Sequence, residues 1–503
     1  MHIEEVLQGV GQVRRSGPSV DVTSIEYDSR RVGPGSLFVA MQGGTTDGNR
    51  YISTAIERGA SAVVTDSAMA FQDAAVKHAH IAIAEVAHGR SALAPLAANF
   101  YQHPEAHLAL SGVTGTNGKT TTAFLLDAML NSVARTTVLV GTIEYHVAGE
   151  MVESPHTTPE SRDLLELFAR GVSAGATEAV MEVSSHALEQ GRVWSLLFDV
   201  GVFTNLTRDH LDYHRTMDAY FAAKSMLFDG SNGVAPRISV INVDDAYGVQ
   251  LAIMARDAGS EILSYGWGAG DFHAEDVQMS AAGMRFRLVT PNGSVSMQTR
   301  LSGKVNVYNL LAASAAAYAR GLTLDEIAAG AASLACVPGR FQTVDAGQPF
   351  TVVVDYAHTD DALRNLIALA REFVKPGNGR VITLFGCGGD RDRTKRPLMG
   401  RAAGEGSDFV VLTSDNPRSE EPEAILRDVL PGLEATGVEF IAEPDRAKAI
   451  QIAVEQAKPA DIVLIAGKGH EKTQTLRERV ISFDDVEVAA TAIQSLAPTG
   501  AKH

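Results

Sequence analysis

Residues 115–120 read Gly-Thr-Asn-Gly-Lys-Thr, and no other stretch constrains the fold of this chain as strongly. The apolar run at 108–113 before it reads as a buried strand. The stretch from about 120 to 132 after it reads as a helix, with Phe124, Leu125, Leu126, Met129 and Leu130 on its apolar side. A glycine-rich loop between a strand and a helix is the setting of a phosphate loop. Glycines let backbone N–H groups approach phosphate oxygens, and the helix N-terminus favours their negative charge. Lys119 can then reach the β- and γ-phosphates, and the Thr120 hydroxyl can ligate Mg²⁺. The general GxxxxGK[ST] pattern would place glycine at position 113, where this chain has Val113. The competing reading is a chance glycine-rich turn. Strand, loop, Lys-Thr and helix occurring together weigh against it. The loop alone leaves kinase, motor, switch and ligase open.

The rest of the chain repeats the strand–helix alternation. Strands are expected at 37–40, 62–65, 179–181, 351–355, 381–385, 409–412 and 462–466, and helices at 91–99, 305–319 and 361–372. Such alternation implies mostly parallel α/β sheets. At roughly 150 residues per domain, 503 residues suggest about three domains. Pro104 and Pro338-Gly339 punctuate the chain at the two boundaries, giving domains at 1–103, 104–337 and 338–503.

Composition narrows the partners. With 43 basic and 60 acidic side chains the net charge is −17, which argues against a general nucleic-acid binder. An anionic substrate must therefore meet local basic or N–H-rich pockets. Cys336 and Cys387 are isolated, without metal-ligand spacing or a disulfide framework. No signal-peptide pattern opens the chain, and no apolar run approaches membrane-spanning length. A cytoplasmic, reducing setting and a monomer without membrane insertion are expected.

Polar clusters fall at expected strand ends, where α/β proteins place ligands. One runs from Glu182 through Ser184-Ser185-His186, another from Thr204-Asn205 to His210 and His214. Glu182 and His210 are a carboxylate and an imidazole that could hold a divalent metal beside the phosphates. Any one of these histidines, taken singly, is better read as structural; their density beside a phosphate loop is what counts. Lys224 read from composition alone is a solvated helix lysine. The run Gly386-Cys387-Gly388-Gly389 lacks the third glycine of a dinucleotide fingerprint, and Asp390-Arg391-Asp392-Arg393 follows where a helix should open, which speaks against NAD.

The motifs in order, Gly115–Thr121, Glu182-Val183-Ser184-Ser185-His186, Thr204-Asn205-Leu206 to His210-Leu211-Asp212, Asn306-Val307-Tyr308-Asn309, Pro338-Gly339-Arg340-Phe341 and Asp355-Tyr356-Ala357-His358, resemble the Mur ligase family across nearly the whole chain. The family's phosphate loop also lacks the first glycine. The resemblance implies an α/β chain of three domains: an N-terminal UDP-substrate-binding domain, a central P-loop ATPase and a C-terminal Rossmann-like domain that brings an amino acid. It implies ATP and Mg²⁺, with Gly115, Thr116, Asn117, Gly118, Lys119, Thr120, Thr121, Asn309, Arg340 and Asp355 on the nucleotide. Lys119, Glu182, His210 and Lys224 would serve catalysis. Lys224 would be carbamylated and would join Thr120, Glu182 and His210 about the metal.

Within the family the pattern is similar to the branch that adds meso-2,6-diaminopimelate to UDP-N-acetylmuramoyl-L-alanyl-D-glutamate. Ser29, in Asp28-Ser29-Arg30, and the turn from Gly43 to Asp47 would meet the uridine nucleotide. Thr157, Thr158, Ser184, Gln190 and Arg192 would meet the muramoyl peptide. Arg391, Asp415, Asn416, Pro417, Arg418, Gly467 and Glu471 would hold diaminopimelate. A lysine-adding ligase on the same scaffold, and a nucleotide-dependent binding protein that has lost ligation, are the alternatives.

Overall fold

The computed structural model describes the chain except residues 12, 44, 45, 281, 375–377 and 497–503, so the expected contacts of Gly44 and Thr45 lie outside the described residues. The chain forms two compact units. One is Met1–Glu275 with Arg287–Met297 and Val307–Ser333; the other is Asp276–Phe286 with Gln298–Asn306 and Leu334–His503.

The first unit holds two sheets with separate cores. In the N-terminal sheet, Ala82–Glu85, Ala62–Thr65, Ser36–Ala40 and Ser24–Glu26 pair in parallel, and Arg14–Ser16 closes the edge antiparallel. Its interior strands Ser36–Ala40 and Ala62–Thr65 are buried on both faces, as apolar runs such as Ala-Val-Val-Thr at 62–65 require. In the central sheet seven strands run in parallel, in the order Phe272–Ser280, Glu261–Gly266, Ile238–Asn242, Val200–Phe203, Ala109–Thr114, Glu178–Glu182, Thr137–Val140. The strand Ala109–Thr114 thus lies in the interior of the sheet. Helix Lys119–Ser132 buries Phe124, Leu125, Leu126, Met129 and Leu130, the side expected from the pattern. A hairpin, Glu144–Val147 and Glu150–Glu153, adds antiparallel strands beyond Thr137–Val140.

Three consecutive strands, Phe272–Ser280, Gly283–Thr290 and Gly293–Thr299, carry the division between the units. The apolar runs of the sequence predict no element there. The second unit has one main sheet: Thr351–Asp355, Ile462–Ala466, Val381–Cys387, Phe409–Ser414 and Glu439–Ala442 in parallel, with Gln342–Val344 antiparallel at the edge. Helices such as Asp360–Phe373 and Arg446–Gln456 cover it, with Leu363, Leu366, Ile367, Ala449 and Ile450 buried. Among the described residues no helix is long and apolar enough to cross a membrane.

Candidate functional site

Neighbouring parallel strands of the central sheet deliver their C-terminal ends to one place. Ala109–Thr114 leads into the glycine-rich loop, Glu178–Glu182 into Ser184-Ser185, and Val200–Phe203 into Thr204-Asn205. The loop is stitched to the third of these. Asn117 N donates to Asn205 Oδ1 at 3.0 Å, and Thr116 N donates to the Asn205 carbonyl at 2.8 Å. Gly118 sits at φ +88°, and a Cβ there would come within 2.4 Å of Asn309 Oδ1. Both facts require glycine, and they place Asn309 of helix Lys304–Ala319 against the loop. Thr121 is buried in the first turn of the helix that follows.

The Lys119 Nζ folds back and donates to the Gly115 and Thr116 carbonyls at 2.9 and 2.8 Å. Lys224, on helix Met217–Ser225, is fully buried. Its Nζ donates to the same Gly115 carbonyl at 2.7 Å and lies 4.7 Å from the centre of the Tyr220 ring. The solvated lysine expected from composition is therefore corrected. Tertiary packing, invisible in the helix's own pattern, covers this face. Burial first, and the nearby Lys119 second, push the Lys224 amine well below its ordinary pKa.

Glu182 is fully buried at the end of its strand. Its Oε2 accepts from the Thr120 and Thr142 hydroxyls, each at 3.1 Å, and its Oε1 from Thr142 N at 2.7 Å. A carboxylate and a hydroxyl oxygen so close together, at the mouth of a phosphate loop, form a hard oxygen set of the kind Mg²⁺ takes. His210 stands in the left-handed region at φ +52°. Its ring centroid is 5.0 Å from that of His186, and its Nε2 is 3.4 Å from Asp209. Burial holds both imidazoles below the usual histidine range, His186 down to about 4 with the neighbouring histidines adding to the effect. Among the described residues, no three His, Cys, Asp or Glu side chains form a metal-binding group.

A second cluster adjoins Glu182. Thr158 Oγ1 donates to the Glu182 carbonyl at 2.8 Å and accepts from Ser184 N at 3.1 Å. Thr157 Oγ1 meets Thr142 Oγ1 at 3.0 Å. Arg192 donates to the Thr158 carbonyl and to Gln190 Oε1, each at 2.8 Å, and Gln190 donates to the Tyr213 hydroxyl. Ser184 caps the helix Ser185–Glu189 through Ala187 N. Five expected muramoyl-peptide residues are thus brought together. Ser29 is not bonded to them. It lies in the turn at 28–31, which reaches the central domain through Tyr27 and Arg31, both bonded to Asp163. Glu160, between Arg90 at 2.7 Å and Arg192 at 3.3 Å, and Thr142 were missed. Thr142 follows the strand Thr137–Val140, so the strand-end rule could have found it.

In the second unit, half-buried Asp355 accepts from Phe341 N and Ala357 N at 2.7 and 2.9 Å, and the Arg340 guanidinium lies 4.9 Å from the Tyr356 ring centre. Burial raises the Asp355 carboxyl's pKa against the opposing pull of Arg340.

Three further strand ends of this unit converge: Val381–Cys387 into Gly388-Gly389, Phe409–Ser414 into Asp415–Arg418, and Ile462–Ala466 into Gly467–Glu471. A Cβ on Gly389 would lie 1.9 Å from the Pro417 carbonyl, so this glycine serves the packing of two loops. The next helix, Lys395–Gly406, opens well beyond the glycines. Arg418, at φ +52°, donates from Nη1 to the Gly389 carbonyl at 2.7 Å. Exposed Arg391 lies beside Gly388. Asn416 Nδ2 donates to Glu471 Oε2 at 2.7 Å, and buried Asp415 lies beside Gly467. Lys468 was missed, although it too follows a strand end. It is fully buried and donates to Glu471 and Asn416.

Comparison with known proteins shows the family. The Mur ligase family catalytic domain matches residues 21–101, the Mur ligase middle domain 113–317, and the Mur ligase glutamate ligase domain 339–469. The UDP-N-acetylmuramoyl-L-alanyl-D-glutamate–2,6-diaminopimelate ligase of Solibacter usitatus is 50% identical over 498 residues, 98% of either chain. That of Geobacillus thermodenitrificans is 44% identical over 95% of this chain and 96% of its own. A solved structure of a UDP-N-acetylmuramoyl-L-alanyl-D-glutamate–2,6-diaminopimelate ligase superposes with a TM-score of 0.68 at 34% identity, covering 95% of this chain and 96% of its own. This chain belongs to the Mur ligase family.

Proposed function

We propose that this chain is an ATP-dependent ligase that joins meso-2,6-diaminopimelate to the D-glutamyl carboxylate of UDP-N-acetylmuramoyl-L-alanyl-D-glutamate, a cytoplasmic step in peptidoglycan synthesis. The observation that carries the reading is that the loop behind Phe409–Ser414 bears both a backbone-clamped arginine, Arg418, and buried Asp415, with Asn416 between them bonded to Glu471. Cation and anion on one loop suit an amino acid whose distal end bears both carboxylate and ammonium. Residues 1–103 are assigned to the UDP group, 104–337 to ATP and 338–503 to the incoming amino acid.

A carboxylate is a poor electrophile, so its oxygen first attacks the γ-phosphorus of ATP, and ADP leaves. The resulting acyl phosphate is attacked by the amine of diaminopimelate. The tetrahedral intermediate collapses to the amide and expels phosphate. Negative charge on the transferring phosphoryl group makes positioning and cations decisive. Lys119, released from the loop carbonyls it bonds in this structure, is assigned to that charge, with backbone N–H groups of the loop. Thr120 and Glu182 would hold Mg²⁺, with His210 and a carbamylated Lys224 completing the surroundings; bound there, the ion would neutralise phosphate charge. Thr157, Thr158, Ser184, Gln190 and Arg192 orient the muramoyl peptide, and Asn309, Arg340 and Asp355 the nucleotide.

The test is ADP release with the UDP-dipeptide, ATP and Mg²⁺ against a panel of amino acids. Turnover that requires both the UDP-dipeptide and diaminopimelate is expected. Turnover with lysine alone would move the chain to the lysine-adding branch, and nucleotide binding without turnover would make it a binding protein.

A further inference from the structure

We propose that Lys468 is a positioning residue of the amino-acid site, which orients Asn416 and Glu471 so that they receive the ammonium end of the incoming amino acid. The inference rests on the assignment of residues 415–418 and 467–471 to the amino acid, and it adds a residue to it.

The side chain is fully buried, at the first turn after the central strand Ile462–Ala466. Its Nζ donates to Glu471 Oε2 at 2.9 Å and to Asn416 Oδ1 at 3.2 Å, and stands 4.0 Å from Asp415 Oδ1. An ammonium has only donors to offer, so the Asn416 atom that faces it must be the oxygen. A second donor, Thr475 N, meets that oxygen at 2.9 Å. Both fix the amide in one orientation, with Nδ2 turned to Glu471 Oε2 at 2.7 Å. Asn416 and Lys468 therefore hold Glu471 by a single oxygen, Oε2, in a partly exposed side chain.

Charge leads to the same assignment. Two carboxylates and one buried ammonium leave this cluster with an acidic excess, which favours a cationic ligand group. Without Lys468, Asp415 and Glu471 would repel each other at close range, and one would take up a proton. Burial alone would raise the Glu471 pKa; Lys468 foremost, then Asn416, more than offset it. Facing the group from neighbouring elements are Asp415, Tyr356, His470, Arg446 and Asp485.

A residue that only supported the fold would, when changed, affect every substrate together. The experiment therefore measures KM for diaminopimelate, ATP and the UDP-dipeptide separately, across pH, in the full chain and in K468M, E471Q and K468M/E471Q. Loss of charge-assisted hydrogen bonds predicts a rise of about tenfold or more in KM for diaminopimelate in K468M. KM for the other substrates should stay within about twofold, inside the spread expected of distant independent sites. The acid limb of the diaminopimelate KM should move to higher pH, because Glu471 then protonates sooner. In the E471Q background, which relieves the uncompensated carboxylate, adding K468M should change KM little. Equal effects on all three substrates, an unmoved acid limb, or effects of the two changes that simply multiply would overturn the proposal. A wild type that turns over with a different amino acid would instead refute the substrate assignment, and the same series would be run with that amino acid.

Discussion

Lys224 and Lys119 share one acceptor. Both amines donate to the Gly115 carbonyl, at 2.7 and 2.9 Å, although Lys224 lies 109 residues along the chain. Two ammonium groups on one oxygen repel, and the fully buried one gives up its proton more readily. A neutral lysine amine is the form that adds CO₂.

Carbamylation of Lys224 is therefore expected. Lys224→Ala should lower turnover by at least about a hundredfold, about 2.7 kcal/mol. A short carboxylic acid in the medium should restore part of it. Labelled bicarbonate should give a carbamate carbon signal in the wild type that is missing from the variant. An active variant with no such signal in the wild type would refute the assignment.

Arg162 ties the N-terminal domain to the central one. It is buried, donates to the Ile25 carbonyl at 2.8 Å, and is paired with Glu26, Asp163 and Glu166. Removing one partner of a buried ion pair costs about 3–5 kcal/mol, and the lower end applies here because Arg31 still stands 3.2 Å from Glu26. Arg162→Met should lose that much stability, and Arg162→Met/Glu26→Met should regain part of it. Both tryptophans, Trp194 and Trp267, belong to the first unit, so their fluorescence in denaturant follows this transition. The segment carrying Ser29 should also loosen, raising KM for the UDP-dipeptide. An unchanged unfolding midpoint would contradict the account.

The strands at 62–65, 351–355 and 462–466 were legible to the residue, because apolar side chains fill both faces of these parallel strands. Phe272–Thr290 was overlooked. There the buried positions alternate with half-buried or exposed, often charged ones such as Glu275, Arg285 and Arg287, a weaker signal than an unbroken apolar run. The phosphate loop could be read because its chemistry is local. The burial of Lys224, the Glu160 bridge to Arg192 and the grip of Lys468 on Asn416 depend on segments far apart in sequence, and no spacing rule reports them.

His146 provides a pH dependence. It lies between Asp127 and Glu144, with Nε2 2.9 Å from Glu144 Oε1. Asp127 and then Glu144 raise its pKa from 6.5 to about 9. A raised pKa means that the folded state holds the proton more tightly. The stabilisation is complete below about pH 6.5 and is lost as pH rises through about 9. His146→Gln should remove this portion of the stability profile. Tryptophan-monitored unfolding across that window checks it, and parallel profiles for variant and wild type would contradict it.

Arg418 should decide between diaminopimelate and lysine. The two differ at the far end of the side chain, where diaminopimelate carries a carboxylate beside its amine and lysine the amine alone. The Arg418 backbone is held at φ +52°, unusual for a side chain of this size. Its N donates to the Thr475 carbonyl at 3.1 Å, and its Nη1 to the Gly389 carbonyl at 2.7 Å. One nitrogen of the guanidinium is thus anchored by backbone, which leaves further N–H groups of the fork for a carboxylate. Orienting the group before the ligand arrives reduces the entropy lost on binding. Lysine would leave these donors desolvated and unpaired. Sites built for a polar group reject analogues lacking it by ~10⁴–10⁵. Arg418→Ala should therefore lower kcat/KM for diaminopimelate by about a thousandfold, about 4 kcal/mol. It should change the low activity with lysine far less, while ATP and the UDP-dipeptide bind as before. If the variant still preferred diaminopimelate over lysine as strongly as the wild type does, selectivity would have to come from the Asp415, Asn416 and Glu471 side alone.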